Sequence, residues 1–149
     1  MNNRRAKKLS AALVGAARFG TAADAARLLR RGADAGRPDA AGTRPLYAAS
    51  VRGAARTVAV LLAAGADPDA ESGHGDEGTP LCGAACWGHT EAVRVLLAGG
   101  ADPALREDGG TGHTPVEWAE AGGHEAAAEL LRVALRERSA SAGDGAAGV

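Results

Sequence analysis

The residues best able to do chemistry in this 149-residue chain are gathered in the stretch TPLCGAACWGH, residues 79–89. Cys82, Cys86 and His89 have the spacing C-x3-C-x2-H, and thiolate and imidazole groups are the usual ligands of structural zinc. Such a site needs four ligands, and only His74 in the preceding turn could supply the fourth. Cysteines four residues apart on one helix are also poorly placed for a disulfide. A thiol or metal sensor built on these residues is therefore an alternative hypothesis, and we predict that the protein uses no metal or other cofactor.

Patterns typical of enzymes are otherwise missing from the sequence. There is no Ser-His-Asp arrangement, and no glycine-rich turn leads into the GK[ST] sequence that cradles phosphate. Glu117 and Glu120 are three residues apart on a predicted helix and could share a face for acid–base catalysis. Solvated charges near the end of the chain are the simpler explanation of this pair. We predict that the protein is not an enzyme.

The wider sequence consists of repeated phrases, which is typical of stacked repeat proteins. The segments RLLRRGAD (27–34), VLLAAGADPDA (60–70) and VLLAGGADPAL (95–105) are versions of one phrase. A second phrase opens with a proline, and its three prolines are 35 residues apart: Pro45, Pro80 and Pro115. A unit of this length is too small to bury its apolar residues alone. We therefore expect neighbouring units to stack into one continuous core.

Each unit is predicted to contain two short helices. The first begins at the proline, whose fixed φ suits the first helical turn, and Thr79 and Thr114 are expected to cap it. The second has the apolar periodicity of a helix and ends at a glycine, as many helices do. The spine of the core is predicted to consist of leucine pairs from these second helices: Leu28, Leu29, Leu61, Leu62, Leu96, Leu97, Leu130 and Leu131.

These phrases resemble the ankyrin repeat, with its T-P-L opening, its G-H link between helices, its L-L pair and its closing G-A-D. The resemblance covers about residues 9–135. It implies an all-α ankyrin-repeat solenoid of about four stacked helix-turn-helix units with projecting β-turn or hairpin loops. The units are placed at about residues 5–36, 37–70, 71–105 and 106–137. A basic N-terminal tail (1–8) and a disordered C-terminal tail (138–149) flank them in this prediction.

The resemblance also assigns structural roles to the cysteine-containing stretch. In its register, Cys82 stands where the family has a histidine, and Cys86 borders the concave face. His89 is the histidine of the G-H link, with His124 as its counterpart in the next unit. This register favours a structural explanation of the stretch over a chemical one.

Ankyrin arrays bind protein partners on the concave surface formed by the first helices and the projecting turns, so the resemblance implies a protein-protein interaction module. The helix positions expected to face this surface are Arg18, Phe19, Val51, Arg52, Cys86 and Trp87. Phe19, Arg52 and Trp87 line up on successive units, and aromatic and arginine side chains are enriched at interface hot spots. The alternative is that Phe19 and Trp87 pack in the gaps between units. Trp118 is predicted to pack inside the array.

The projecting turns are predicted to form a second group of partner contacts. Its members are Arg37, Asp39, Thr43, His74, Asp76, Glu77, Glu107, Asp108 and His113. Residues 1–58 hold 12 Lys and Arg against 3 Asp and Glu, whereas residues 59–149 hold 5 against 15. A partner with a basic patch facing the acidic C-terminal half would be complementary. The partner could be inhibited, regulated or escorted, and the protein itself is expected to be a monomer.

A second alternative is an accessory protein that associates with nucleic acid through its basic N-terminal part. Arg4, Arg5, Lys7 and Lys8 could contact phosphates, but the acidic second half argues against a long phosphate-binding groove. No apolar run is long enough to span a membrane. The basic start lacks the apolar core of a secretory signal. With only two cysteines, we predict a reducing, cytoplasmic location.

Overall fold

The predicted all-α architecture is confirmed by the computed structural model, which describes the backbone of residues 2–146. The helical elements of this part are α1 (Asn3–Phe19), α2 (Ala22–Arg30), α3 (Pro45–Arg52), α4 (Ala55–Ala63), α5 (Pro80–Cys86), α6 (Thr90–Ala98), α7 (Glu107–Gly110), α8 (Pro115–Ala121) and α9 (Glu125–Ala146). Of these, α7 is a single turn whose Asp108 and Gly109 are left-handed, so it is not a regular α-helix. Between residues 2 and 146 the only isolated β-bridge joins Ser72 to Gly78.

The helices stack in two layers. The first-helix layer is formed by α1, α3, α5 and α8, each of which contacts the next. The second-helix layer is formed in the same way by α2, α4, α6 and α9, and each pair of helices within a unit also packs together. The apolar side chains between the layers form one core. No unit encloses this core by itself, as expected for a repeat protein.

The predicted starts of the first helices are confirmed. Thr79 Oγ1 accepts a hydrogen bond from the backbone N–H of Cys82 at 3.2 Å, and Thr114 forms a capping box with Glu117. In the second unit Arg44 stands in place of the threonine and makes no side-chain cap. Its backbone N–H instead donates to Ser72 Oγ at 2.8 Å. The start of α3 is thus tied to the turn that contains Ser72.

All eight leucines were predicted to form the spine of the core, but only one leucine of each pair is buried. The buried member of the pairs is Leu28, Leu61, Leu96 or Leu131, at 9%, 0%, 0% and 0% exposure. The remaining members are partly buried and pack against the edge of the core: Leu29, Leu62, Leu97 and Leu130. Adjacent residues on a helix point about 100° apart, so only one of two neighbours can face the centre of the core.

The link histidines join neighbouring units. The Nε2–H of His89 donates to the carbonyl of Val51 at 3.0 Å, and that of His124 donates to the carbonyl of Cys86 at 3.1 Å. Each ring lies against the glycine that ends the preceding first helix. His89 therefore has a structural role in the array, as the repeat register predicted.

Both predicted tails differ from the structure. Residues 3–8 belong to α1, because Asn2 caps the helix by accepting from the N–H of Arg4 and good helix formers follow. Residues 138–146, expected to be disordered, continue α9. An Arg138–Asp102 ion pair ties this extension to the preceding turn, and no Gly-Ala-Asp-Pro sequence ends the helix. Met1 and residues 147–149 lie outside the described residues.

A search of the described helices for an apolar segment that could cross a membrane finds no candidate.

Candidate protein-binding surface

The first-helix face, meaning the outer surface of α1, α3, α5 and α8 with the adjoining turns, carries two highly exposed aromatic side chains. Phe19 is 86% exposed and Trp87 is 65% exposed, against 36% for Val133, the next large apolar residue in the described part of the chain. The alternative that Phe19 and Trp87 pack between units is therefore wrong. Large apolar groups in this position are typical of interaction sites when they lie together.

Phe19 borders a cavity of about 360 Å³ between α1 and α3, which we call the Phe19 cavity. Arg18, Val51 and Arg52 line the same cavity, as do the predicted turn contacts Thr43 and Glu77, so the structure brings six of the predicted contact residues together. The Arg52 guanidinium donates to the carbonyls of Ala17 at 3.1 Å and Gly20 at 2.8 Å. Arg52 therefore satisfies the carbonyl groups at the end of α1, in addition to lining the cavity.

Trp87 borders a second cavity of about 310 Å³, which we call the Trp87 cavity. Its wall residues with functional side chains are Tyr47, Asp76, Glu77, Cys82, Cys86, Trp87, Glu107, Asp108 and Trp118. Tyr47 and Glu77 also line the Phe19 cavity, and Trp118 also lines a third one near His113. These shared walls make the cavities neighbours along the first-helix face, so one extended segment of a partner could contact all three.

Tyr47 lies in the wall shared by the Phe19 and Trp87 cavities, next to Gly83. A Cβ atom on Gly83 would approach Val51 Cγ1 to 2.7 Å and Tyr47 Cε2 to 3.1 Å, so glycine allows α5 to lie close to α3. Burial raises the pKa of Tyr47 to about 12, with smaller contributions from Glu77 and Glu107. The hydroxyl stays protonated and can donate a hydrogen bond at any physiological pH.

Glu107 is a buried carboxylate at the wall of the Trp87 cavity, with 7% exposure. Trp118 Nε1–H donates to its Oε1 at 2.6 Å, and its Oε2 lies beside Gly78. Burial raises the pKa of the Glu107 carboxyl above its usual value, and Asp108 acts in the same direction. The Trp118 hydrogen bond, the Cys82 thiol and His113 lower the pKa, but they do not fully offset the effect of burial.

Replacing Glu107 with glutamine is expected to raise the stability of the protein at neutral pH. The folded pKa lies above the usual value of 4.5, so the folded protein holds this proton more tightly than the unfolded chain does. Stability from this group is therefore present at low pH and falls as the pH rises through the folded pKa. Thermal unfolding measured from about pH 4 to pH 8 should show that the wild type melts at a lower temperature than Glu107→Gln, by a difference that grows with pH.

The control for this experiment is Glu91→Gln, which removes the same charge from α6 in the second-helix layer. Glu91 is exposed and pairs with Arg94 at 3.3 Å, so its removal should change stability only slightly. A Glu107→Gln protein that is less stable than wild type at neutral pH would contradict the prediction. A wild-type stability that rises relative to the variant as the pH increases would show that the folded state favours the anion.

The predicted turn contacts fall into two groups. Arg37, Asp39, His74, Asp76, Glu77, Asp108 and His113 are exposed or half-buried. Thr43 and Glu107 are instead buried, at 3% and 7% exposure, although each lines a cavity of the first-helix face. Thr43 Oγ1 accepts from Arg18 at 2.9 Å and donates to Glu77 Oε1 at 2.8 Å. These contacts connect α1 with two successive turns.

The thiol chemistry that the sequence suggested has little support in the structure. Burial raises the pKa of Cys82 to about 12, and its thiol lies 3.6 Å from the carbonyl oxygen of His113. A thiol in this state is a poor nucleophile and a poor metal ligand at neutral pH. Cys86 is a free, half-buried thiol. Among the described residues, no group of three or more His, Cys, Asp or Glu side chains is arranged to hold a metal ion.

The other candidate groups are separated or paired elsewhere. Glu117 binds Arg106 at 3.1 Å and His113 at 3.1 Å, whereas Glu120 pairs with Arg132 at 3.1 Å. The two glutamates are thus neutralised by different partners and do not form an acid–base pair. The basic residues predicted as nucleic-acid contacts are exposed on α1: Arg4, Arg5, Lys7 and Lys8.

Two aromatic residues that line the Trp87 cavity, Tyr47 and Trp118, were not among the predicted contact residues. Tyr47 lies one helical turn before Val51, so the same register could have placed it on this face. Trp118 was expected to pack, and its indole does form a T-shaped contact with the His113 ring, with centroids 5.1 Å apart. It also forms a wall of the Trp87 cavity, which depends on the path of the preceding turn.

A two-layered stack of helix pairs with projecting turns defines a helical repeat solenoid. The family model described as ankyrin repeats, in three copies, matches residues 13–107 and 61–136. These matches cover most of the chain, and the chain belongs to the ankyrin repeat family. Members of the family generally serve as protein-protein interaction modules and are typically non-catalytic. A search of curated proteins found no match.

Proposed function

We propose that this protein is a non-catalytic binding module that holds one partner protein on the first-helix face and the adjoining turns. The observation that carries the proposal is the exposure of Phe19 and Trp87, at 86% and 65%, beside neighbouring cavities on one face. Burying such side chains against a partner removes apolar surface from water, at about 25 cal/mol for each Å². The binding would inhibit, regulate or escort the partner.

The setting that we propose for this function is the cytoplasm, with the protein acting as a monomer. Both cysteines are free thiols, which is compatible with a reducing compartment. The uneven charge of the two halves of the chain would orient a partner as it approaches.

The double variant Phe19→Ala/Trp87→Ala is expected to lose partner capture. Aromatic side chains at the centre of an interface commonly contribute 2 kcal/mol or more, so the recovery of a specific partner should fall by about tenfold or more. The measurement is affinity capture from the native host with the purified chain as bait, followed by mass spectrometry and titration of the captured protein.

The matched control is Val133→Ala, which trims an apolar side chain of 36% exposure on α9, in the second-helix layer. It should leave capture unchanged. Equal recovery with the double variant and the wild type would remove the first-helix face from the proposal.

A further inference from the structure

We propose that the Trp87 cavity binds a cationic side chain, lysine or arginine, presented by a basic segment of the partner. This inference rests on the proposed function and specifies the chemistry of its central contact. Three kinds of observation carry it: the charge of the cavity wall, the state of the Glu107 carboxylate and the aromatic groups around it.

The cavity wall is strongly acidic. Four carboxylates line it, from Asp76, Glu77, Glu107 and Asp108, and no lysine, arginine or histidine is among its wall residues. Within the described part of the chain, none of these four carboxylates forms an ion pair. Other carboxylates of the same face, such as Glu117 and Glu120, are paired with arginine. An uncompensated group of like charges in a concave, partly desolvated site attracts a counter-charge.

Glu107 is the most informative of the four. It is more than nine-tenths buried, yet within the described residues only the Trp118 indole donates an N–H or O–H hydrogen bond to its carboxylate. The remaining donor beside it is the Cys82 thiol, a weak donor. A buried carboxylate is costly without a paired cation or full hydrogen bonding. No buried side-chain N or O atom of the described residues is left without a hydrogen bond, so what Glu107 lacks is a paired cation, and a cationic side chain entering the cavity would supply it.

The aromatic residues suit a side chain with an apolar stem and a charged end. Tyr47, Trp87 and Trp118 all line the cavity. The faces of such rings attract ammonium and guanidinium groups, and the methylene stems of lysine and arginine pack well on apolar surface. The volume of about 310 Å³ is at the lower end of the range for ligand pockets, which fits one long side chain.

A metal ion is the main competing cation, and the geometry disfavours it. No group of three or more candidate ligands is arranged around one point in the described part of the molecule. The carboxylates are instead spread around an aromatic cavity. This arrangement favours an organic cation over a small inorganic one.

The two tryptophans of the chain, Trp87 and Trp118, both line this cavity, so intrinsic tryptophan emission can report binding directly. The probes are short Gly-Ser peptides with a central arginine, lysine, acetyl-lysine or glutamate. We expect a saturable emission change with the arginine and lysine peptides. Binding of the acetyl-lysine and glutamate peptides should be at least about tenfold weaker, because these side chains lack the positive charge.

The Glu107→Gln protein should bind the cationic peptides at least about fivefold more weakly while remaining folded, since glutamine can still accept from Trp118. Asp76→Asn/Asp108→Asn tests the exposed rim and should also weaken binding. Glu91→Gln removes a carboxylate from the second-helix layer and should leave the titration unchanged.

Equal binding of lysine and acetyl-lysine peptides, unchanged binding by Glu107→Gln, or no emission change up to millimolar peptide would each overturn the inference. The proposed function has a separate test, because the titration needs no natural partner. If the Phe19→Ala/Trp87→Ala protein loses a captured partner but the cationic peptides do not bind the wild type, the first-helix face is supported as the binding surface and the cation site is rejected. If the double variant captures normally, the proposed function itself fails.

Discussion

Replacing Leu61 with alanine is expected to lower the free energy of unfolding by about 2–5 kcal/mol. Leu61 has no exposed surface and belongs to α4, which packs against both α2 and α6. In a repeat protein, stability is approximately a sum of unit and interface terms. A cavity at Leu61 weakens its own unit and both neighbouring interfaces, and the loss is a large part of the roughly 5–15 kcal/mol that holds a typical domain folded.

The measurement is chemical unfolding followed by circular dichroism, with Leu62→Ala as the matched control. Leu62 is the adjacent residue of the same helix, but it is only partly buried and its methyl groups lie beside Gly99. Its truncation should cost clearly less, because surrounding water and mobile surface groups fill the space. Equal losses at the two positions would show that the core is not centred on the first leucine of the pair.

This difference within one leucine pair shows how far the repeat pattern could predict packing. The phrases located the second helices correctly, and the pair of apolar residues marked the side that faces the core. The pattern treated Leu61 and Leu62 alike, because both are apolar and both recur. Only the rotation of the helix against its neighbours decides which one is enclosed, and this rotation comes from packing across units.

The binding face was predictable in part for the same reason. Phe19 is the last residue of α1, and Trp87 directly follows the last residue of α5. The repeat register therefore placed both side chains on this face, and both are exposed in the structure. The Trp87 cavity was not predictable from the sequence, because its shape depends on the backbone path that places the Glu107 side chain in its wall. Asp108 and Gly109 have positive φ values of 54° and 64°, and this left-handed turn brings the Glu107 side chain under Trp118.

The two ends of the array differ from the prediction because both were expected to be tails, whereas both extend helices. The segment after Leu135 has no apolar periodicity, yet alanine, arginine and glutamate favour a helix that has already begun. The Arg136–Glu129 and Arg138–Asp102 contacts then hold the segment to ordered parts of the molecule. Propagation from a packed helix needs no apolar face of its own.

The stability and binding predictions for Glu107 have opposite signs. Glutamine at this position is expected to stabilise the folded protein at neutral pH, since burial disfavours the carboxylate. The same change is expected to weaken binding of a cationic side chain. A charged side chain that lowers stability, at a position where a neutral side chain of the same shape would not, is typical of functional sites. Finding both effects in one variant would therefore connect the cost in the free protein with recognition of the partner.

Replacing Gly88 with alanine is expected to cost about 2–3 kcal/mol of stability. Gly88 has φ of 69°, and a side chain in this left-handed region costs about 1–2 kcal/mol. The added Cβ would also lie 2.6 Å from His124 Cγ. The ring would have to move, which weakens its hydrogen bond to the carbonyl of Cys86, a contact of about 0.5–1.5 kcal/mol.

Gly123→Ala separates the two causes. Gly123 is the equivalent glycine of the last unit and has φ of 71°, but an added Cβ there would meet nothing within 4 Å. It should therefore show only the backbone cost of about 1–2 kcal/mol. The excess loss in Gly88→Ala then measures the histidine link between units, and unfolding curves in denaturant give both values. Equal losses for the two variants would mean that the His124 link contributes nothing measurable. In that case Cys86 and Trp87 would be held in place by core packing alone.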